Sequence, residues 1–134
     1  MTTLFVDSSA IYAWLDRLDA EHERIKRTWE WLAAENAPLM ATNYVIVETV
    51  ALCQARLGTE SVHAIVERVL PLLSVQWVTE PDHDSAMATL LAANRRDLSL
   101  VDCVSFAAMR RLGVSRAFTL DDHFREQGFE CLPV

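Results

Sequence analysis

Residues 3–15 read TLFVDSSAIYAWL, and the fold is decided there. The apolar run Leu4 to Val6 is broken by Asp7, and Ser8-Ser9 then opens a segment with apolar groups at Ile11, Tyr12, Trp14 and Leu15. A short apolar run bounded by polar residues reads as a buried strand, and a hydroxyl residue ahead of helical spacing reads as a helix cap. A strand that runs straight into a helix is the opening of a βαβ unit.

The same alternation continues along the chain. Further strands are expected at 38–41, 75–79, 116–120 and 129–133, after the first at 3–7. Between them, 20–35 places Ile25, Trp29, Leu32 and Ala33 on one helix face, and a helix from Asn43 to Leu57 stops at Gly58. Another runs from Glu60 to Leu70, where Pro71 ends it. Pro81 opens a helix through Met87, Leu90 and Leu91, and Ser99 opens one that runs to Leu112 before Gly113. The expected fold is α/β, with a central, mainly parallel five-stranded sheet flanked by helices, in a single domain over 1–134.

Composition narrows the class. A hydrophobic share of 51% with few Gly and Pro argues for a packed core and against disorder. No apolar stretch approaches the ~20 residues of a membrane helix, and no secretory leader is evident, so a cytoplasmic protein is expected. Cys53, Cys103 and Cys131 are odd in number and widely spaced, which argues against a disulfide framework or a zinc site. A net charge of -7 excludes binding of nucleic acid through a broad basic surface. Lys26 is the only lysine, so any phosphate contact would be local and made by arginine, as at Arg95-Arg96 or Arg110-Arg111.

Four acidic residues stand out: Asp7 in LFVDSSA, Glu48 in TNYVIVETV, Asp102 in LSLVDCVSFAAM and Asp121 in RAFTLDDHF. Asp7 and Asp121 follow strands, and ligands of open α/β sheets collect beyond the carboxyl ends of strands. Glu48 shares a helix face with Tyr44 and Leu52, where an unpaired carboxylate is costly to bury. Asp102 falls in the first turn of its helix, where the dipole favours negative charge. A hard cation with oxygen ligands would account for all four together. Each also has a structural account. Asp7 could cap the first helix, Ser99-x-x-Asp102 matches a capping box, Glu48 could pair with Arg56, and Asp121 or Asp122 could form a turn or cap.

These motifs, in this order and spacing, resemble the PIN domain, and more narrowly the small ribonuclease toxins of VapBC toxin-antitoxin pairs. The resemblance spans nearly the whole chain. It implies a metal-dependent endoribonuclease in which Asp7, Glu48, Asp102 and Asp121 form the acidic quartet. Ser8 and Thr119 match its supporting hydroxyl positions. Asp121 is preferred over Asp122 for the fourth place because it directly follows the strand. Mg2+ is the implied cofactor, with Mn2+ as an alternative, held by Asp7, Asp102 and Asp121 together with Glu48 or Asp122. The implied partners are RNA, a second copy of the chain and a cognate VapB-type antitoxin, for which the region of Trp14, Trp29 and Trp31 offers a surface, with Trp29 expected in the core and Trp31 exposed.

Competing readings are weaker. A haloacid dehalogenase-type phosphatase expects an acid where Ser9 stands, and a receiver-like phospho-acceptor expects a strand-end lysine. The strongest alternative is a PIN-like RNA- or protein-binding module without catalysis. The histidines in Asp82-His83-Asp84 and Asp121-Asp122-His123 are not expected to ligate the metal, and His22 and His63 are expected on the surface.

Overall fold

The computed structural model describes the whole chain, Met1–Val134. Five strands, β1 (Leu4–Val6), β2 (Leu39–Thr42), β3 (Leu73–Gln76), β4 (Arg116–Phe118) and β5 (Glu130–Leu132), form one parallel sheet in the order β3-β2-β1-β4-β5. Seven helices accompany it: α1 (Ser8–Leu15), α2 (His22–Ala34), α3 (Asn43–Leu57), α4 (Thr59–Ala64), α5 (Glu80–Ala93), α6 (Leu100–Leu112) and α7 (Asp122–Glu126).

Every residue of β1 and β2 is buried. Successive strand residues point to opposite faces, so unbroken burial means that both faces of the sheet are covered. Phe5 and Phe118 from the central strands belong to one core cluster with Ile11 of α1, Ile25 and Leu32 of α2, Met109 of α6 and Phe124 of α7, all fully or almost fully buried. Trp29 packs between Trp14, 4.3 Å away, and Phe118, 5.0 Å away. The three cysteines are buried and free, as expected.

Chain order decides where a ligand could sit. The chain winds from β1 outward through β2 to β3, then returns to lay β4 and β5 on the other side of β1. The reversal lies between β1 and β4, whose ends are joined by the Asp7 amide donating to the Phe118 carbonyl at 3.0 Å. A crevice outside the carboxyl ends at such a switch point is the usual ligand position in open α/β sheets.

Two expected elements differ in the structure, and one helix, α7, is not among those expected. β3 lies two or three residues earlier than 75–79, because its register against β2 pairs Leu39 with Leu73 and Thr42 with Gln76. Trp77 is left exposed beyond the strand, and the Val78 amide donates to Asn43 Oδ1 at 2.8 Å. The helix expected over 60–70 is α-helical only to Ala64, then widens into a π turn at Ile65–Val69 and ends in a 3-10 turn at Leu70–Leu72. Pro71 has no N–H with which to continue it. After β4 the chain forms the short helix α7, capped by Asp121. No helix is long and apolar enough to cross a membrane.

Candidate active site

Asp7, at the carboxyl end of β1, is buried and caps α1. Its Oδ2 accepts the Ser9 amide at 3.4 Å, the Ser9 hydroxyl at 2.7 Å and the Thr119 hydroxyl at 2.9 Å. Each hydroxyl oxygen in turn accepts a backbone amide at 2.9 Å, Ser9 that of Leu120 across the switch point and Thr119 that of Asp121 two residues on. Asp7 is thus stitched to β4 through two relays. Ser9, expected only as an alternative cap, belongs to this support. Its signal in the sequence is the Asp-x-Ser spacing, which lets a carboxylate meet the residue two positions on.

Glu48 projects from α3 and accepts the Ser8 hydroxyl on Oε1 at 2.5 Å, which ties α3 to α1. It does not pair with Arg56, whose guanidinium lies over the Tyr12 ring at 5.6 Å. Asp102 forms the capping box of α6: Ser99 Oγ accepts the Asp102 amide at 3.0 Å, and Asp102 Oδ2 accepts the Ser99 amide at 3.1 Å. Asp121 caps α7, with Oδ1 accepting the His123 amide at 2.9 Å. Asp122 instead faces solvent and pairs with Arg125 at 3.2 Å.

One pattern unites the four. In Asp7, Glu48, Asp102 and Asp121, a single oxygen takes every protein hydrogen bond and the other takes none. No buried side-chain nitrogen or oxygen lacks a partner, so the four free oxygens reach solvent. Three of these carboxylates therefore cap a helix and still present an unused oxygen. The structural and functional accounts are not alternatives at these positions.

The acids also feel one another. Burial raises the Asp7 carboxyl above its usual range, the Ser9 and Thr119 hydroxyls oppose the rise, and the charges of Asp102 and Asp121 add to it. Burial likewise raises Glu48, against the Ser8 bond, with Asp7 and Asp121 adding. Asp102 is raised by burial, against the Ser99 amide, with Asp121 and Glu48 adding.

His123 stands beside the acids, between Asp121 and Asp97. Its Nδ1 lies 2.6 Å from Asp121 Oδ1 and its Nε2 3.1 Å from Asp97 Oδ2. Chiefly through Asp97, its pKa is raised. One donor atom each from Asp102, Asp121 and His123 lies within 4.8 Å of the others. The sequence hides this, because Asp97 is 26 residues away. His22 is half-buried rather than surface, with Nδ1 2.8 Å from the Ala13 carbonyl, and His83 bonds Tyr44.

These shifts dictate how stability follows pH. Raised pKa values mean that the folded state holds protons which the unfolded chain releases. The stabilisation is fully present below the ordinary carboxylate range, roughly pH 4, and is lost as pH rises through the folded values. His123 acts with the same sign from about pH 6.5 upward. Asp97 is lowered by Arg95 and contributes stability that is lost only on strong acidification, outside this window. The metal-free protein should therefore unfold at a higher temperature near pH 5.5 than near pH 8. Thermal unfolding in chelator tests this, and equal or greater stability at pH 8 would contradict it.

Away from the acids, a groove of about 820 Å³ runs between α1, α2 and α4, lined by Trp14, Leu15, Arg17, Lys26, Ala64 and Arg68 among others. Trp31 is exposed on α2, whereas Trp29 is core and unavailable to a partner.

A parallel sheet of this order with carboxylates at its switch point narrows the class, and comparison with known families names it. Residues 4–130 match the PIN domain, and the chain belongs to the PIN domain family. It is 34% identical over 127 residues to the 23S rRNA-specific endonuclease VapC20 of Mycobacterium tuberculosis, across 94% of this chain and 95% of that protein. The crystal structure of Mycobacterium tuberculosis VapC20, a Sarcin-Ricin loop cleaving toxin, superposes with a TM-score of 0.82 at 33% identity, covering 94% of this chain and 95% of that one. FitAcB from Neisseria gonorrhoeae shares the fold, with a TM-score of 0.69 at 14% identity over 96% of this chain and 95% of that one.

Proposed function

We propose that this chain is a divalent-metal-dependent endoribonuclease, the toxin of a type II toxin-antitoxin pair, which hydrolyses RNA phosphodiester bonds at the acidic cluster. The observation that carries the reading is the set of four carboxylates, each anchored by one oxygen and free at the other, gathered at the switch point. Oxygen donors suit hard cations such as Mg2+ and Mn2+. Crowded carboxylates, with Asp7, Glu48 and Asp102 raised in proton affinity, suit a centre whose charge a cation neutralises.

Asp7, Asp102 and Asp121 would hold the ion through their free oxygens, and Glu48 would complete its shell or orient the attacking water. When bound, the cation lowers the pKa of that water and screens the phosphodiester charge for an in-line attack. Ser9 and Thr119 fix the direction in which Asp7 presents its oxygen, and Ser8 does the same for Glu48. No histidine base is required.

Ribosomal RNA is the proposed substrate class, on the strength of 34% identity to a 23S rRNA-specific endonuclease over nearly the whole chain. The proposed partner is a cognate VapB-type antitoxin, with Trp14 and the groove beside it as the docking surface and Trp31 at hand as an exposed anchor. Homodimerisation and a cytoplasmic setting belong to the same reading and rest on the family resemblance.

The test is cleavage of a hairpin carrying the sarcin-ricin loop, beside a total RNA pool, by antitoxin-free protein with Mg2+, with Mn2+ and with a chelator. Cleavage is expected with either ion and none with the chelator. Folded protein that binds Mn2+ and cuts no RNA would instead favour a binding module.

A further inference from the structure

Asp121 is held by more than its own helix. The His123 amide and the His123 ring Nδ1 both approach Asp121 Oδ1, at 2.9 and 2.6 Å. The opposite ring nitrogen lies 3.1 Å from Asp97 Oδ2. Arg95 grips Asp97 with two bonds, Nε to Oδ1 at 3.0 Å and a terminal nitrogen to Oδ2 at 2.8 Å. Its other terminal nitrogen reaches Glu126 of α7 at 3.0 Å. Asp97 lies two residues before Ser99, the cap of the helix that carries Asp102. A side-chain strap thus ties the entrance of α6 to α7, the two helices whose first turns or caps supply Asp102 and Asp121.

We propose that His123 is a positioning residue at the middle of this strap, which orients Asp121 toward a divalent cation without ligating the cation itself. The inference rests on the metal site proposed above and adds His123, Asp97 and Arg95 to it. Proximity alone would also allow His123 as a ligand, since its donor atom falls within 4.8 Å of those of Asp102 and Asp121. The hydrogen bonds decide against that. A ligating imidazole must aim a bare lone pair at the metal, and here each ring nitrogen already faces a carboxylate oxygen. With Oδ1 of Asp121 taken by two N–H groups, Oδ2 is the oxygen left for the ion. Partners behind a ligand commonly set its direction and, when removed, weaken metal binding about 10- to 100-fold.

The experiment measures Mn2+ affinity by calorimetry without RNA, for the parent, His123→Ala, His123→Asn, Asp97→Asn and the Ala/Asn double variant. Thermal unfolding in chelator checks that each is folded; the amide that caps α7 survives in all. His123→Ala should weaken Mn2+ binding by roughly 10-fold or more. Asp97→Asn should weaken it less. His123→Asn, whose amide can donate from near the Nδ1 position, should recover part of the loss. The double variant should be no weaker than His123→Ala, because both changes cut one strap. Pulsed electron paramagnetic resonance of Mn2+ bound to the parent should show no directly bonded ring nitrogen. Parental affinity in His123→Ala, or a directly bonded nitrogen, would overturn the strap while leaving the nuclease reading intact. A parent that neither binds Mn2+ nor cuts RNA would overturn both.

Discussion

Asp7→Asn is expected to reduce RNA cleavage by on the order of 10³-fold or more, about 4 kcal/mol of lost transition-state stabilisation, while leaving the fold intact. The reason lies in how the two carboxylate oxygens divide their work. Oδ2 accepts the Ser9 and Thr119 hydroxyls and, at a longer 3.4 Å, the Ser9 amide, and an asparagine carbonyl with its two lone pairs can keep the two hydroxyl bonds. The amide nitrogen then stands where Oδ1 stood and cannot ligate a hard cation. Asn caps helices as well as Asp does, so α1 keeps its N-terminus. Removing one charge from a buried cluster that Asp102 and Asp121 already crowd relieves repulsion. In chelator the variant should therefore unfold at the same temperature as the parent or higher. Asp7→Ala is a different experiment, because it loses the cap and strands two hydroxyls, at a cost of about 1–3 kcal/mol. Paired measurements of cleavage and metal-free unfolding separate the two roles. A large stability loss in Asp7→Asn would mean that the carboxylate chiefly holds the fold.

The same division of oxygens explains what could be read from the chain and what could not. Asp7, Glu48, Asp102 and Asp121 each sit in a strong local signal: an apolar run that ends in an acid, an apolar helix face or a capping box. Local signals survive in a linear sequence. They also support a capping account equally well, and only coordinates show that a cap spends one oxygen and leaves the other. Links between distant segments leave no such trace. Ser9 meets the Leu120 amide across 111 residues, and His123 meets Asp97 across 26, so neither partnership is visible in spacing. Tertiary pairing likewise overrides propensity in β3. The run Val75-Gln76-Trp77-Val78-Thr79 is the more strand-like stretch, yet alignment with β2 selects Leu73–Gln76. The alternation of strands and helices, by contrast, carried the sheet and its switch point, because burial on both faces imposes a continuous apolar pattern on each central strand.

Phe124→Ala should be among the most damaging single changes away from the acids, costing about 3–5 kcal/mol of stability. The ring is fully buried, with centroids 6.1 Å from Phe5, 5.0 Å from Phe106 and 6.5 Å from Phe129. A loss of that size is a large fraction of the roughly 5–15 kcal/mol that holds a domain of this kind together. The consequence for the site is more specific. α7 spans only Asp122–Glu126, too short to persist without tertiary contacts, and Phe124 is its buried anchor. Asp121 caps this helix and His123 lies in its first turn, so a loosened α7 would misdirect the Asp121 carboxylate even in molecules that remain folded. Urea unfolding should report the stability loss, and Mn2+ affinity measured well below the unfolding transition should fall along with it. Phe124→Leu, which keeps an apolar side chain against the same rings, should cost roughly half as much and preserve more of the affinity. A Phe124→Ala protein that loses less than about 1 kcal/mol would show that the Arg95 to Glu126 pair and the Asp121 cap hold α7 in place without the aromatic cluster. Metal binding that stays at the parental level despite a large stability loss would separate the anchoring of α7 from the orientation of Asp121.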